Sequence, residues 1–450
     1  MPPSESSPLL PSNGTAHAPS LSHKLTAFLT AEGEPSFLES YRWFFFDSYF
    51  NILLVFVPLS AIAHHLNWDA GLRFTFSFFA IMPLAKLLGD STEQMSAKLG
   101  QTLAGLLNAS FGNAVEIIVG VAALLQDQVR IVQTSMLGSI LSNILLVLGC
   151  SFLAAGVKRS ESTFQVTAAQ ASSSLMTLAC ITLVIPAAYS STLGDTSNEH
   201  GLLVISRGTA VVLLLIYIAY LYFQLKSHAH LYIPENADSS PEEEEPKMSV
   251  VSASISLLVV TVVTSFCADY LVASIEEFAE RYHVPKAFIG LILLPIVANA
   301  AEHVTSVWMA MKDQMELTIT ICVGSSIQIA SFVVPLLVIV GWISGHELTL
   351  YFANFETIVL FVSVLLVNTL IQDGKSNYME GLMLVSLYFV ISLAGMGTFL
   401  YFQVYFANQC DIKMRSLGVV NLQPSEYIWT CYVLSTQAQS LDIKLISTYV

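Results

Sequence analysis

The sequence is short of charge. Only 11% of its 450 residues are Asp, Glu, Lys or Arg, while 54% are hydrophobic. A soluble domain carries about 25% charged residues. With a mean hydropathy of +0.66, the chain has too little polar surface to cover itself in water. Its natural solvent is a bilayer, where a spanning helix needs about 20 apolar residues. There is no basic stripe, and the formal net charge is -15, which excludes a nucleic-acid partner. There is no CxxC pair. Of the six cysteines, Cys150, Cys180, Cys267 and Cys322 lie in apolar segments as small packing residues, so neither a disulfide framework nor a structural zinc is expected. No apolar signal core opens the chain; residues 1–44 read as a disordered tail, its first part rich in Ser and Pro. No HExxH and no catalytic Asp pair occurs in an apolar run. A membrane enzyme is therefore unsupported, and no resident cofactor is expected.

What is present is a series of apolar runs. They cover residues 45–66, 72–88, 99–125, 131–155, 166–189 and 208–225, then 250–275, 288–311, 317–343, 355–371 and 378–406. Each is long enough to span with some tilt. The expected fold is an all-α polytopic membrane protein of about 11 transmembrane helices. The expected organisation is an extra helix at 45–66, a first five-helix unit at 72–225, an acidic loop at 226–248, a second unit at 249–406 and a tail at 407–450. With a cytosolic N-terminus, ten Lys and Arg face the cytosol and five the other side, leaving out the tail. The positive-inside rule favours that orientation and places the acidic loop in the cytosol. The run Glu242-Glu243-Glu244-Glu245 in that loop is a solvated tract or a device that concentrates cations.

The two units are a repeat. Gly112-Asn113-Ala114-Val115-Glu116 falls on Ala298-Asn299-Ala300-Ala301-Glu302 at an offset of 186. Without a gap, Gly138-Ser139 falls on Gly324-Ser325 and Ser142 on Gln328. Agreement at two landmarks marks a duplication. Five spans per unit is odd, so the halves must have opposite topology. Inverted repeats with broken helices are a hallmark of secondary transporters, which bind substrate near the midplane.

Two acids at matched points inside apolar runs are the chemical signature. An acidic residue such as Asp costs roughly 2.5–3.5 kcal/mol at a helix centre, and the nearest bases, Arg130 and Lys312, sit at run ends. Glu116 and Glu302 therefore read as ligands of a hard divalent cation. Asn113, Asn299, Ser139, Ser325 and Gln328 can add neutral oxygens. Gly112 and small neighbours would let the helix unwind and present carbonyls. No Cys or His cluster supports a soft metal. Two carboxylates are neutralised by one divalent ion or by two protons, and an empty charged site is costly to occlude. That charge balance implies obligatory exchange, with desolvation helping protons compete. His303, beside Glu302, is a candidate proton relay. Ser142 and Asn143 either hydrogen-bond between helices, as small polar residues commonly do in membranes, or touch the ion.

These residues resemble the calcium/proton antiporter family, most nearly its fungal vacuolar members. The match runs from about Asp47 to Phe402 and includes Asn51-Ile-Leu-Leu-Val-Phe-Val-Pro58, Pro83-Leu-Ala85, Leu106-Leu-Asn108, Gly112-Asn-Ala-Val-Glu116, Asn299-Ala-Ala-Glu-His303 and Gly324-Ser-Ser-Ile-Gln328. The resemblance implies a ten-helix inverted-repeat core with an extra N-terminal helix. It implies calcium and protons alternating on Glu116 and Glu302, with Asn113, Asn299, Ser325 and Gln328 nearby and His303 supporting transport. It implies an acidic helix between the halves, and calcium moved into an acidic vacuole. The family usually has Gly at 298 and Glu at 269, where this chain has Ala298 and Asp269. Sodium/calcium exchange on the same fold, or a passive cation channel, are the alternatives. The tail pattern of Glu5 with Leu9-Leu10 is the sort that sorting adaptors read, and the sequence leaves a homo-oligomer open.

Overall fold

The computed structural model describes residues 35–97, 99, 101–193, 199–228 and 246–416. Glu5, Leu9, Leu10 and the acidic run Glu242–Glu245 lie outside them. The regular structure of the described chain is helical apart from one ribbon of two two-residue strands. The first helices are α1 Phe37–Phe46, α2 Phe56–His65, α3 Ala70–Ser96, α4 Gln101–Phe111 and α5 Ala114–Leu125. Next come α6 Val129–Leu141, α7 Leu148–Gly156, α8 Val166–Leu193 and α9 Glu199–Tyr222. The second half holds α10 Val250–Tyr282, α11 Lys286–Phe288, α12 Leu294–Ala298, α13 Ala300–Met311, α14 Met315–Gln328, α15 Val334–Ser344, α16 Asn354–Leu370 and α17 Tyr378–Ser416. One π-helical turn, Ser142–Val147, joins α6 to α7, and another, Ile329–Val333, joins α14 to α15.

Each predicted apolar run falls mainly on helix, and among the described residues seven helical segments are long and apolar enough to cross a membrane singly. Two more segments are bent pairs, Phe37–Phe46 with Tyr49–His65 at 87° and Lys286–Ala298 with Ala300–Met311 at 57°. Ala114–Leu125 and Asn354–Leu370 are shorter apolar helices. Outward residues such as Leu215, Ile218, Leu258, Val390 and Leu393 are 60–70% exposed, while Asn, Ser and Glu side chains are buried. That is a soluble protein turned inside out, with lipid as the outer solvent.

Three expected boundaries move. Residues 37–44 are not tail but most of α1, started by a capping box between Ser36 and Glu39. The run 45–66 is not one helix either. Ser48 is extended and accepts from Phe50 N, while Asn51 Nδ2 donates to the Phe44 and Phe45 carbonyls and closes α1. Hydropathy counts residues and is blind to such a corner. The last helix runs past 406 to Ser416, because no Pro or Gly stops it where the apolar run ends.

The repeat is visible in the backbone. α5 and α13 are both 12 residues long and start 186 apart. Each ends in a left-handed aspartate, Asp127 (φ 56°) and Asp313 (φ 69°), a conformation that Asp tolerates better than most residues. The capping bonds match too: Gln128 N donates to Ala123 O and Gln314 N to Met309 O. The halves interlock. α3 lies along α10, with Phe74 stacked on Phe278 at 4.1 Å. β1 Ser162–Thr163 pairs antiparallel with β2 Lys375–Ser376. Asn368 of α16 bonds Ser173 and Thr177 of α8. The four cysteines read as packing residues are all free thiols, three of them buried.

Candidate cation site

Glu116 and Glu302 each sit in the first turn of a helix that begins in the protein's middle. The turn before α5 is Gly112-Asn113, and the turn before α13 is Asn299 alone. At Gly112 a Cβ would lie 2.4 Å from the Asn108 carbonyl, so the tight turn requires glycine. Ala298, by contrast, stays helical and leaves Asn299 to make the whole break. Unwinding is thus one or two residues deep. Each break puts the positive end of α5 or α13 at its glutamate and the negative end of α4 or α12 opposite, a helix-terminus arrangement suited to holding a carboxylate and a cation together.

Side chains of both halves converge between the breaks. Asn143 Nδ2 donates to Ser325 Oγ (2.9 Å), Ser325 Oγ to Asn113 Oδ1 (3.1 Å), and Asn113 Nδ2 to Gln328 Oε1 (2.5 Å). The Glu302 carboxylate accepts from Asn143 and lies beside Ser325. Asn299 Nδ2 donates to the Ser139 carbonyl at 3.3 Å, and His303 Nδ1 to the Asn299 carbonyl at 2.9 Å. Glu116 and Ser139 line one small cleft, with Leu271 of α10 and Val297 of α12. Among the described residues neither glutamate is ion-paired: Arg130 pairs with Glu356, and Lys312 lies 5.3 Å over the Trp308 ring.

Asn113, Asn299 and Asn143 are fully buried, and Glu116 is 4% exposed. Asn143 Oδ1, Asn299 Oδ1 and Glu302 Oε2 are buried oxygens without a donor. Buried acceptors are ordinarily satisfied. Orphaned oxygens from both halves, beside two carboxylates, suit a hard cation. No group of three or more His, Cys, Asp or Glu forms a metal cluster among the described residues, so neutral oxygens must complete the coordination. The structure gathers all seven sequence-predicted oxygen donors and His303 into this region. For Asn143 the sequence leaves two readings open, a helix-to-helix bond or a contact with the ion, and at the 186 offset it falls on apolar Ile329. The side-chain bond to Ser325 is there, but so is one to Glu302.

The family described as sodium/calcium exchanger protein matches residues 70–226 and 252–396. The chain belongs to the sodium/calcium exchanger family. Within this exchanger family it is 49% identical to a vacuolar calcium ion transporter of Schizosaccharomyces pombe over 350 residues, 77% of this chain and 84% of the relative. It is 40% identical to a Ca2+/H+ antiporter of Aphanothece halophytica, over 76% of this chain and 94% of the relative. The crystal structure of the Ca2+/H+ antiporter YfkE superposes with a TM-score of 0.66 at 33% identity, covering 77% of this chain and 98% of that one. The exchanger fold, an all-helical membrane bundle with broken helices, is therefore common to both.

Proposed function

We propose that this exchanger moves calcium into an acidic vacuole against protons, with Glu116 and Glu302 as the shared site. The observation that carries this reading is a pair of base-free carboxylates, Glu116 buried and Glu302 with a buried Oε2, beside the donor-free oxygens of Asn143 and Asn299. One calcium ion cancels their two charges, and so do two protons. The doubly charged empty state is the costly one to occlude, so the protein crosses loaded either way. Asn113, Asn299, Ser139, Ser325 and Gln328 supply neutral oxygens or hold them in place. His303 gives its Nδ1 proton to the Asn299 carbonyl at the break, which leaves Nε2 bare and buried as a proton relay. The N-terminus and the acidic loop face the cytosol, as the Lys and Arg distribution requires. The names of the relatives, vacuolar calcium ion transporter and Ca2+/H+ antiporter, support the substrates and the compartment. The Glu5, Leu9, Leu10 pattern then serves vacuolar sorting.

The test is uptake of labelled calcium into vesicles with an acidic interior and no sodium. Calcium should accumulate against its gradient and stop when an ionophore collapses the pH difference. Uptake that needs sodium and ignores pH would make this a sodium-coupled exchanger. Absence of accumulation would make it a channel.

Asn143→Leu tests the orphaned oxygen and the bond to Glu302. Leucine keeps the volume but removes both. Hydrogen bonds to charged groups contribute about 1.5–3 kcal/mol, so the half-saturating calcium concentration should rise about tenfold or more. An unchanged value would show that Asn143 only joins helices.

A further inference from the structure

The repeat has a second matched pair of contacts, far from the glutamates. Asp313, in the left-handed turn after α13, meets Arg159 just past α7, Nη1 to Oδ1 at 3.1 Å. Asp127, in the left-handed turn after α5, meets His346 just past α15, Nε2 to Oδ1 at 3.6 Å. The acids are 186 apart and the bases 187 apart. Each contact clamps the far end of a glutamate-bearing helix onto the end of a core helix from the other repeat. The clamps differ in one respect. Arg159 is always charged, while an imidazole changes charge between pH 5 and 8.

We propose that Asp127, His346 and Ser344 form a lumenal proton-binding site, separate from the transport glutamates, that fastens α5 to α15 only when the lumen is acidic. The placement rests on the orientation and antiport reading given above. Ser344 Oγ spends its proton on the Val340 carbonyl at 2.8 Å, so it accepts from His346 Nδ1–H at 2.9 Å. That fixes the tautomer, and neutral His346 then turns the Nε2 lone pair toward the Asp127 carboxylate. Protonation replaces this repulsion with an ion pair. The Asp127 side chain is 85% exposed and His346 21% exposed, so lumenal protons reach both. The pair exists when the imidazole is charged and is lost when it is neutral.

The other charges around this corner are committed or lie on its rim. Arg130 of α6 pairs with Glu356 of α16, and Arg207 of α9 lies 5.1 Å over the Trp342 ring of α15. Glu347 follows His346 in the same loop. From α10, Asp269 accepts from Gln126 Nε2 at 2.6 Å and Glu276 bonds Gln128. The turn 126–128 thus touches α10 on both sides of the clamped aspartate. α10 also contributes Leu271 to the cleft at Glu116. Fastening this turn fixes the helix that carries Glu116 relative to the opposite half. Exchange is therefore efficient when protons are available to drive it and slows when the lumen is neutral.

The experiment is counterflow of labelled calcium against trapped unlabelled calcium, which needs no gradient. The lumen is buffered at about pH 5.5 or about pH 7.5, on either side of the imidazole titration, and the bath is held constant. His346→Arg copies the opposite clamp. Its rate should equal wild type in the acidic lumen and exceed it roughly two- to fivefold in the neutral lumen, the range open to a partly exposed ion pair. Asp127→Asn should match wild type in the neutral lumen, lose the stimulation by acid, and cancel the gain of His346→Arg in the double variant. Because protons also compete at the glutamates, the ratio to wild type is what is read. A ratio that ignores lumenal pH in both variants would overturn the proposal. A ratio that follows bath pH would overturn the lumenal placement. Counterflow absent from wild type itself would overturn the antiport reading instead.

Discussion

Glu116→Gln and Glu302→Gln are each expected to abolish calcium/proton exchange while leaving the protein inserted and monodisperse. Glutamine keeps the shape and the hydrogen-bonding oxygen of the side chain. It removes one charge and one titratable proton. With a single carboxylate left, a divalent ion enters the occluded site with one uncompensated positive charge. A net charge in low dielectric costs several kcal/mol even after relaxation, and each 1.36 kcal/mol is a factor of ten in rate. The loss should be two or more orders of magnitude, about the background of empty vesicles. Proton-driven uptake of labelled calcium measures it, and thermal unfolding in detergent checks the fold. Retained exchange in either variant would sink the shared-site mechanism. The fold should survive because neither carboxylate holds a structural ion pair among the described residues, and removing an unpaired buried charge does not strand a partner.

The second large effect concerns packing. Gly138→Val should prevent correct folding, while Gly324→Val at the repeat-equivalent position should be tolerated. A Cβ at Gly138 would fall 2.2 Å from the Leu291 carbonyl and 2.6 Å from the Pro295 ring. Neither can yield without moving the helix backbone. Overpacking by one or two methyls ordinarily costs about 1–3 kcal/mol, and a backbone clash this close lies at or above the top of that range. At Gly324 a Cβ meets nothing within 4 Å. The check is monodisperse yield and melting temperature of the two variants side by side. Equal behaviour would show that α6 can move away from the segment around Leu291. The contrast matters for function, because the same approach holds Ser139, whose carbonyl receives Asn299 from the opposite half.

These two predictions divide along the line between sequence and structure. The glutamates were legible in one dimension. An acid inside an apolar run is costly, two at one offset are not chance, and charge balance alone names exchange. Seven of the eleven expected spans were legible for the same reason, since bilayer thickness sets a length that hydropathy can count; two more are bent pairs, and the runs 99–125 and 355–371 carry only shorter helices. The glycine contrast was not legible. Gly138 and Gly324 occupy equivalent places in the repeat, yet only one is pressed against a neighbour. Asn143 was half-legible: its polarity marked it as a bonding residue, but the offset sets it against Ile329, and contact with Ser325 and Glu302 exists only once α6 and α14 are brought together. The corner after α1 was hidden because Ser48 and Asn51 redirect the chain without lowering its hydropathy.

By itself, then, the sequence determined the membrane as solvent, the eleven apolar segments, the inverted duplication and the paired carboxylates. Each follows from local composition or from self-comparison along the chain. Only the tertiary structure decided which oxygens remain without donors, which equivalent glycines are crowded, and which base faces each of the matched aspartates. Those are properties of residues about 150 to 220 positions apart, and nothing in a linear pattern records how two halves press against each other.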